Sequence, residues 1–210
     1  MYRMGEAEIK EISRVIRSGN LFRIGSCLKE VDRFEREWAS LVGTRYALCL
    51  SGGGTAGLIC ALVGLGIGPG DEVLVPGYTF MATALAVLAV GAIPVVVEID
   101  ETLTLDPEEI ERKAGPNTRA VIPVHMVGRP ANLSAIRTVC RKKKMKVIED
   151  ACQAVGGSYR GKRLGAWGEA GVFSFNYYKI ISCGEGGAVV TDNRTVYERA
   201  LVYHDGGASF

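Results

Sequence analysis

Metal-binding spacing is missing from this sequence. Only two histidines occur and none of the six cysteines forms a C-x-x-C pair, so no metal site is expected. An excess of one charge is also missing: the formal net charge is +2, which gives no electrostatic case for nucleic acid. The one dense basic run, Lys142-Lys143-Lys144, reads as the solvated end of a helix. No apolar run reaches the ~18 residues that suggest a membrane span. The nearest candidate, Ala82–Val97, is interrupted by Thr83, Gly91 and Pro94, and reads as a helix ending near Gly91 followed by a buried strand. The opening MYRMGEAEIK has no apolar signal core. Internal repeats and low-complexity linkers are absent.

What is there suits a soluble globular protein. The 210 residues suffice for one substantial domain, with 48% hydrophobic and 23% charged residues. Several of Cys27, Cys49, Cys60, Cys140, Cys152 and Cys183 sit in apolar runs, as buried free thiols do. That pattern points to a reducing cytoplasm.

The first forty residues read as two amphipathic helices, with Val31, Phe34, Trp38 and Leu41 at helical spacing in the second. From Tyr46 the pattern changes to short Val- and Ile-rich runs. The expected strands are Ala47–Leu50, Glu72–Val75, Ile93–Ile99, Ala120–Val124, Lys146–Asp150, Gly171–Phe175 and Gly187–Thr191. Helical patterns at Thr55–Leu65, Met81–Val90 and Leu133–Lys143 lie between them. Runs buried on both faces and joined by helices predict an α/β fold, a mostly parallel sheet sandwiched by helices. The last two strands are too close in sequence for a full crossover helix and are expected to break the alternation. Ligands of such sheets bind beyond the C-terminal strand ends, so chemistry is sought after Leu50, Val75, Asp150 and Phe175.

Three segments there carry chemical character. Ser51-Gly52-Gly53-Gly54-Thr55 opens a helix after a strand; it is either a phosphate cradle or a tight turn. Glu149 and Asp150 end an apolar strand and point to opposite faces. A carboxylate there serves as metal ligand, general base or partner of a ring nitrogen; the plainer reading is a helix cap. Lys179 follows a strand among Tyr178, Ile180 and Ile181. Apolar surroundings favour an unprotonated amine, the form that attacks a carbonyl, whereas most lysines are simply solvated. His125, His204, Trp38 and Trp167 read as structural, Tyr177 and Tyr178 as pocket or core, and Glu185 as part of a turn dominated by its glycines.

Taken in order, the motifs resemble one family. Phe173-Ser174-Phe175, Lys179 and Gly184-Glu185-Gly186-Gly187 are the most specific. Gly54-Thr55-Ala56, Gly68–Val73, Tyr78-Thr79-Phe80, Pro123-Val124-His125 and Glu149–Ala154 support them. The chain resembles the DegT/DnrJ/EryC1/StrS aminotransferases, which act on nucleotide-linked keto sugars. The resemblance implies the large domain of a fold-type I enzyme, like that of aspartate aminotransferase, and pyridoxal 5'-phosphate as cofactor. It makes Lys179 the Schiff-base lysine and Asp150 the acid paired with the pyridine nitrogen. It places Gln153 near the ring's phenolic oxygen and Phe80 on the ring face. It gives Gly54, Thr55 and Ser174 to the phosphate and counts Ala56 among the cofactor-binding residues. It further implies glutamate or glutamine as amino donor and a homodimer.

The expected organisation is a helical segment over 1–45 and a cofactor-binding large domain over 46–210. Family members continue into a smaller C-terminal domain, which this sequence does not include. The glycine turn is also longer than the family's usual Ser-Gly-Thr. An alternative is therefore a non-catalytic remnant that binds cofactor or a partner. A related sugar dehydratase is disfavoured because Lys179 is present, and a generic nucleotide-binding domain is supported least.

Overall fold

The computed structural model describes residues 4–21, 23 and 29–207; Cys27 lies outside them. Helices α1 (Glu6–Ser18) and α2 (Glu30–Val42) come first. Acids Glu6 and Glu8 open α1, and the Gly5 N–H donates to Glu8 Oε2 at 2.7 Å. Gly19 and Gly43 stop the two helices in left-handed backbone. α1 buries no residue, whereas α2 presses Trp38, Ala39 and Val42 onto the sheet. Trp38 meets Phe173 and Phe175 edge to face, at centroid distances of 5.2 and 4.8 Å.

The strands are β1 (Tyr46–Leu50), β2 (Glu72–Pro76), β3 (Ile93–Val97), β4 (Thr118–Val121), β5 (Lys146–Asp150), β6 (Ser158–Tyr159), β7 (Lys162–Arg163), β8 (Ala170–Ser174) and β9 (Gly187–Thr191). The remaining helices are α3 (Gly53–Gly64), α4 (Ala82–Ala89), α5 (Pro107–Lys113), α6 (Leu133–Lys143) and α7 (Arg194–His204). Seven strands form one sheet in the order β1-β9-β8-β5-β4-β2-β3. Strands β8, β5, β4, β2 and β3 pair in parallel. β9 is antiparallel to both β1 and β8, so β1 runs the same way as β8. The expected break in alternation lies at β8 and β9, which need no crossover helix because they are antiparallel.

Local chemistry accounts for the differences from the sequence expectation. β3 is the outermost strand and leaves Ile93 and Val96 exposed, rather than buried on both faces. Ile99 and Val124 lie beyond their strands and make isolated bridges to Leu105 and Asp150. Helices α5 and α7 were not anticipated. Asp106 caps α5 by accepting from Glu108 N, with Pro107 in the first turn. Asn193 caps α7 by accepting from Thr195 N and Val196 N. The β6–β7 hairpin turns through Arg160 and Gly161, both at positive φ.

Side chains occupy the outer edge of β1 at Cys49. Cys49 N donates to Glu35 Oε1 at 2.7 Å, and Arg23 donates to the Cys49 carbonyl at 2.5 Å. Arg23 also pairs with Glu35.

Glu149 ties β5 to the loop leading into β8. It is fully buried and accepts from the amides of Gly165, Trp167 and Gly168, and pairs with His125 Nε2 at 3.1 Å. His125 Nδ1 accepts from Ala131 N at 3.2 Å, so in the neutral ring Nε2 carries the proton and donates to Glu149. The loop passes so near β8 that a Cβ on Gly171 would lie 2.1 Å from the Gly165 carbonyl oxygen.

Two predictions follow from burial. Glu149→Ala strands three amides and the His125 ring, and is expected to cost about 3–5 kcal/mol in urea unfolding; a loss below about 1 kcal/mol would contradict the network. The second concerns thiols. Cys183 is the exposed one among the five described cysteines. Burial pushes Cys49 and Cys60 up to about 11 and Cys140 up to about 12. Stability from these neutral thiols is complete below the unfolded value and is lost as pH rises through 11 to 12. With native protein at mildly alkaline pH, Ellman's reagent should reach Cys183 ahead of the other four, as read by peptide mapping.

Candidate functional site

A cavity of about 450 Å³ opens at the C-terminal edge of the parallel strands. Every element that reaches it does so from a strand end. After β1, the chain turns through Ser51 and Gly52 into α3. Gly53 takes φ +70°, a conformation that side-chain-bearing residues rarely adopt. Ala56 N is the first amide to find a helical acceptor, the Gly52 carbonyl at 3.4 Å. The amides of Gly53, Gly54 and Thr55 have no acceptor among the described residues, and they sit at the positive end of a twelve-residue helix.

Neighbouring strands hold this turn by close approach. A Cβ on Gly54 would lie 2.5 Å from Cys152 Sγ and 3.1 Å from Ser174 Cβ. A Cβ on Gly187 would lie 2.6 Å from the Gly53 carbonyl oxygen. The starts of α3 and β9 and the ends of β5 and β8 therefore converge on one point. Ser174 is buried there, and its Oγ accepts from Asn176 N at 3.4 Å; among the described residues its own hydrogen has no acceptor.

At the deep end stands Asp150, 6% exposed. Its Oδ1 accepts from Cys152 N at 3.2 Å and its Oδ2 from Thr83 Oγ1 at 3.0 Å. Among the described residues no cation pairs with it, although an ionised carboxylate at this depth requires compensation. Burial, followed by the Asp150 charge, pushes the adjacent Cys152 thiol well up and keeps it neutral. Toward the mouth, Lys179 is half-buried and its Nζ lies 5.9 Å from the centroid of the Phe80 ring. Phe80 itself is 68% exposed.

Seven of the eight residues singled out from the sequence line this one cavity: Gly54, Thr55, Phe80, Asp150, Gln153, Ser174 and Lys179. Ala56 is not among the lining residues; its backbone continues α3 behind the turn. Gln153 faces the cavity while its amide engages the neighbouring turn, accepting from Val127 N at 3.0 Å and donating to Met126 Sδ at 3.4 Å. Three lining or supporting residues were missed. Glu185, read as part of a glycine turn, brings its carboxylate to the wall and accepts from Asn176 Nδ2 at 2.6 Å. Asn176 lines the wall beside it. Thr83 stands behind Asp150; its only signal was a hydroxyl inside an apolar run. Among the described residues no cluster of three His, Cys, Asp or Glu has a geometry that could hold a metal ion.

Chemically, the cavity has three parts. Free amides with the Thr55 and Ser174 hydroxyls suit a dianion such as phosphate. A buried, unpaired carboxylate suits a protonated ring nitrogen. An amine between them and the mouth suits attack on a carbonyl.

Comparison with known proteins places this arrangement in context. The profile of the DegT/DnrJ/EryC1/StrS aminotransferase family matches residues 2–210. The dTDP-3-amino-3,4,6-trideoxy-alpha-D-glucose transaminase of Streptomyces venezuelae is 44% identical over 199 residues, which are 94% of this chain and 51% of that protein. The aminotransferase from Psychrobacter cryohalolentis superposes with a TM-score of 0.94 at 35% identity, covering 99% of this chain and 52% of its own. NtdA from Bacillus subtilis, solved with bound cofactor PMP, gives a TM-score of 0.84 at 34% identity over 93% of this chain and 43% of its own. The chain spans about half the length of the curated relative it matches.

Gly187→Ala forces the Gly53 carbonyl away and should open the turn. We expect binding of a phosphorylated ligand to weaken at least about tenfold, or about 1.4 kcal/mol, by isothermal titration. Unchanged affinity would show that the turn does not hold phosphate.

Proposed function

The chain belongs to the DegT/DnrJ/EryC1/StrS aminotransferase family, and from that premise we propose that it holds pyridoxal 5'-phosphate for transamination of a nucleotide-linked keto sugar. The observation that carries this reading is the pairing of opposites in one cavity. Among the described residues, Asp150 is a buried carboxylate with no cation beside it, and the α3 turn offers three amides with no acceptor. A cofactor with a protonated ring nitrogen at one end and a phosphate at the other answers both.

Bound there, the cofactor supplies an electron sink for the electron pair left when a proton leaves the carbon next to an amine. The residues do the rest. Gly53, Gly54 and Thr55 amides with the Thr55 and Ser174 hydroxyls hold the phosphate. Asp150 holds the ring nitrogen in its protonated form. Phe80, already beside Lys179 Nζ, covers one ring face. Gln153, anchored by Val127 N, steadies the ring edge. Lys179 would anchor the cofactor, and its amine would carry the proton that transamination must move.

The same proposal takes glutamate or glutamine as amino donor, a homodimer as the working form and the cytoplasm as its place. Support for the dimer lies at the cavity mouth. Phe80, Met81, Leu85, Leu88 and Tyr178 are exposed there and on the adjoining face of α4, which suits a second subunit. The sugar reading is supported by the name of the Streptomyces venezuelae relative, a dTDP-amino-sugar transaminase. No helix among the described residues is long and apolar enough to cross a membrane.

The test is direct. Purified chain is mixed with pyridoxal 5'-phosphate, its visible absorption recorded, borohydride added and the modified residue located by mass spectrometry. The expected result is one label on Lys179, absent from Lys179→Ala. Labelling spread over surface lysines, with no visible band, would sink the proposal for this chain.

A further inference from the structure

Thr83 lies in the first turn of α4, whose other residues are all apolar, and it is completely buried. Its hydroxyl makes two hydrogen bonds: to Asp150 Oδ2 at 3.0 Å and with Thr79 Oγ1 at 2.8 Å. A hydroxyl has one hydrogen. Because an ionised carboxylate only accepts, the Thr83 hydrogen goes to Asp150. Thr79 must then donate to Thr83. The direction is therefore fixed along the chain Thr79 to Thr83 to Asp150. Donation from Thr79 polarises the Thr83 hydroxyl and strengthens the bond it gives. Thr79 is only partly buried and sits just before Phe80, so the chain runs from the cavity mouth to its deepest charge.

Other groups facing Asp150 do not duplicate this role. Cys152 N donates to the other oxygen, Oδ1, and its thiol is held neutral. Glu149 points to the opposite face and is satisfied by the Gly165–Gly168 amides and His125. Lys179 makes no ion pair with Asp150 among the described residues. Among the described residues, the side-chain hydroxyl that donates to Oδ2 is that of Thr83, with the Cys152 thiol also against the carboxylate.

We infer that Thr83, polarised by Thr79, is the positioning residue that fixes the orientation of the Asp150 carboxylate toward the cofactor ring nitrogen. This rests on the cofactor reading above and deepens it. Thr83→Val keeps the shape and removes the hydroxyl; the carboxylate then loses its Oδ2 donor, and the ring nitrogen loses protonation. Thr83→Ser keeps the hydroxyl. Thr79→Val removes only the polarising bond.

The experiment uses the full chain loaded with pyridoxal 5'-phosphate labelled with nitrogen-15 at the ring. The nitrogen signal reports protonation, and borohydride labelling of Lys179 is run on every variant. The wild type and Thr83→Ser should give the protonated-nitrogen signal across the neutral range. Thr83→Val should shift it toward the unprotonated position and weaken cofactor affinity about tenfold. Thr79→Val should move it the same way by less. If Thr83→Val labels at Lys179 and keeps the wild-type nitrogen signal, the inference is overturned while the proposed function stands. If Thr83→Val does not fold, Thr79→Val and Thr83→Ser decide: a nitrogen signal unmoved by Thr79→Val, or lost in Thr83→Ser, overturns it. A wild-type chain unlabelled at Lys179 removes the cofactor reading and this inference together.

Discussion

Two carboxylates on consecutive residues of one buried strand set the terms for everything around them. Neither Glu149 nor Asp150 can be buried charged without donors, and alternation sends them to opposite faces. On one face the protein supplies a full set: three loop amides and a histidine whose tautomer is dictated by Ala131. That face is closed and structural. On the other face the described residues supply Thr83 Oγ1 and Cys152 N, with the neutral Cys152 thiol beside them and no cation. The asymmetry separates scaffold from site within two residues.

The second constraint is backbone contact. Reversing β9 between β1 and β8 brings its first residue against the turn that opens α3. Gly187 and Gly53 approach so closely that no side chain fits between them, and Gly54 rests on Cys152 and Ser174 in the same way. Four strand ends are thereby brought together without a long loop. The segment joining β8 to β9 carries Lys179, so the turn that needs no crossover helix also carries the amine. The α3 turn and the amine are placed by one topological feature, beside the carboxylate that ends β5.

Much of this was legible in the sequence because it is written in strong local terms. Val- and Ile-rich runs with helices between them gave the parallel strands, and the short gap before Gly187 gave the irregular one. The motif order gathered Gly54, Thr55, Asp150, Gln153, Ser174 and Lys179 at one edge of the sheet. Helix α5 was readable in principle, since Asp106-Pro107 is a cap followed by a first-turn proline; its seven residues were too short for periodicity to register. Helix α7 likewise follows a readable cap, Asn193, just before Arg194. β3 misled because an apolar run has the same composition at a sheet edge as at its centre. Thr83 and Glu185 were illegible for a deeper reason. Their roles depend on what folding sets beside them, sixty-seven residues away for Thr83 and Asp150 and across a turn for Glu185 and Asn176.

The occupied edge of β1 has a consequence of another kind. An open strand edge is a template on which a foreign strand can add, and that is how folded sheets seed aggregates. Glu35 and Arg23 occupy both the amide and the carbonyl of Cys49, so an arriving strand finds no free register at that position. At the far edge β3 carries Pro94, which has no amide to offer. The sheet is thus blunted at both margins by different means. Growth by strand addition is discouraged at both of these positions.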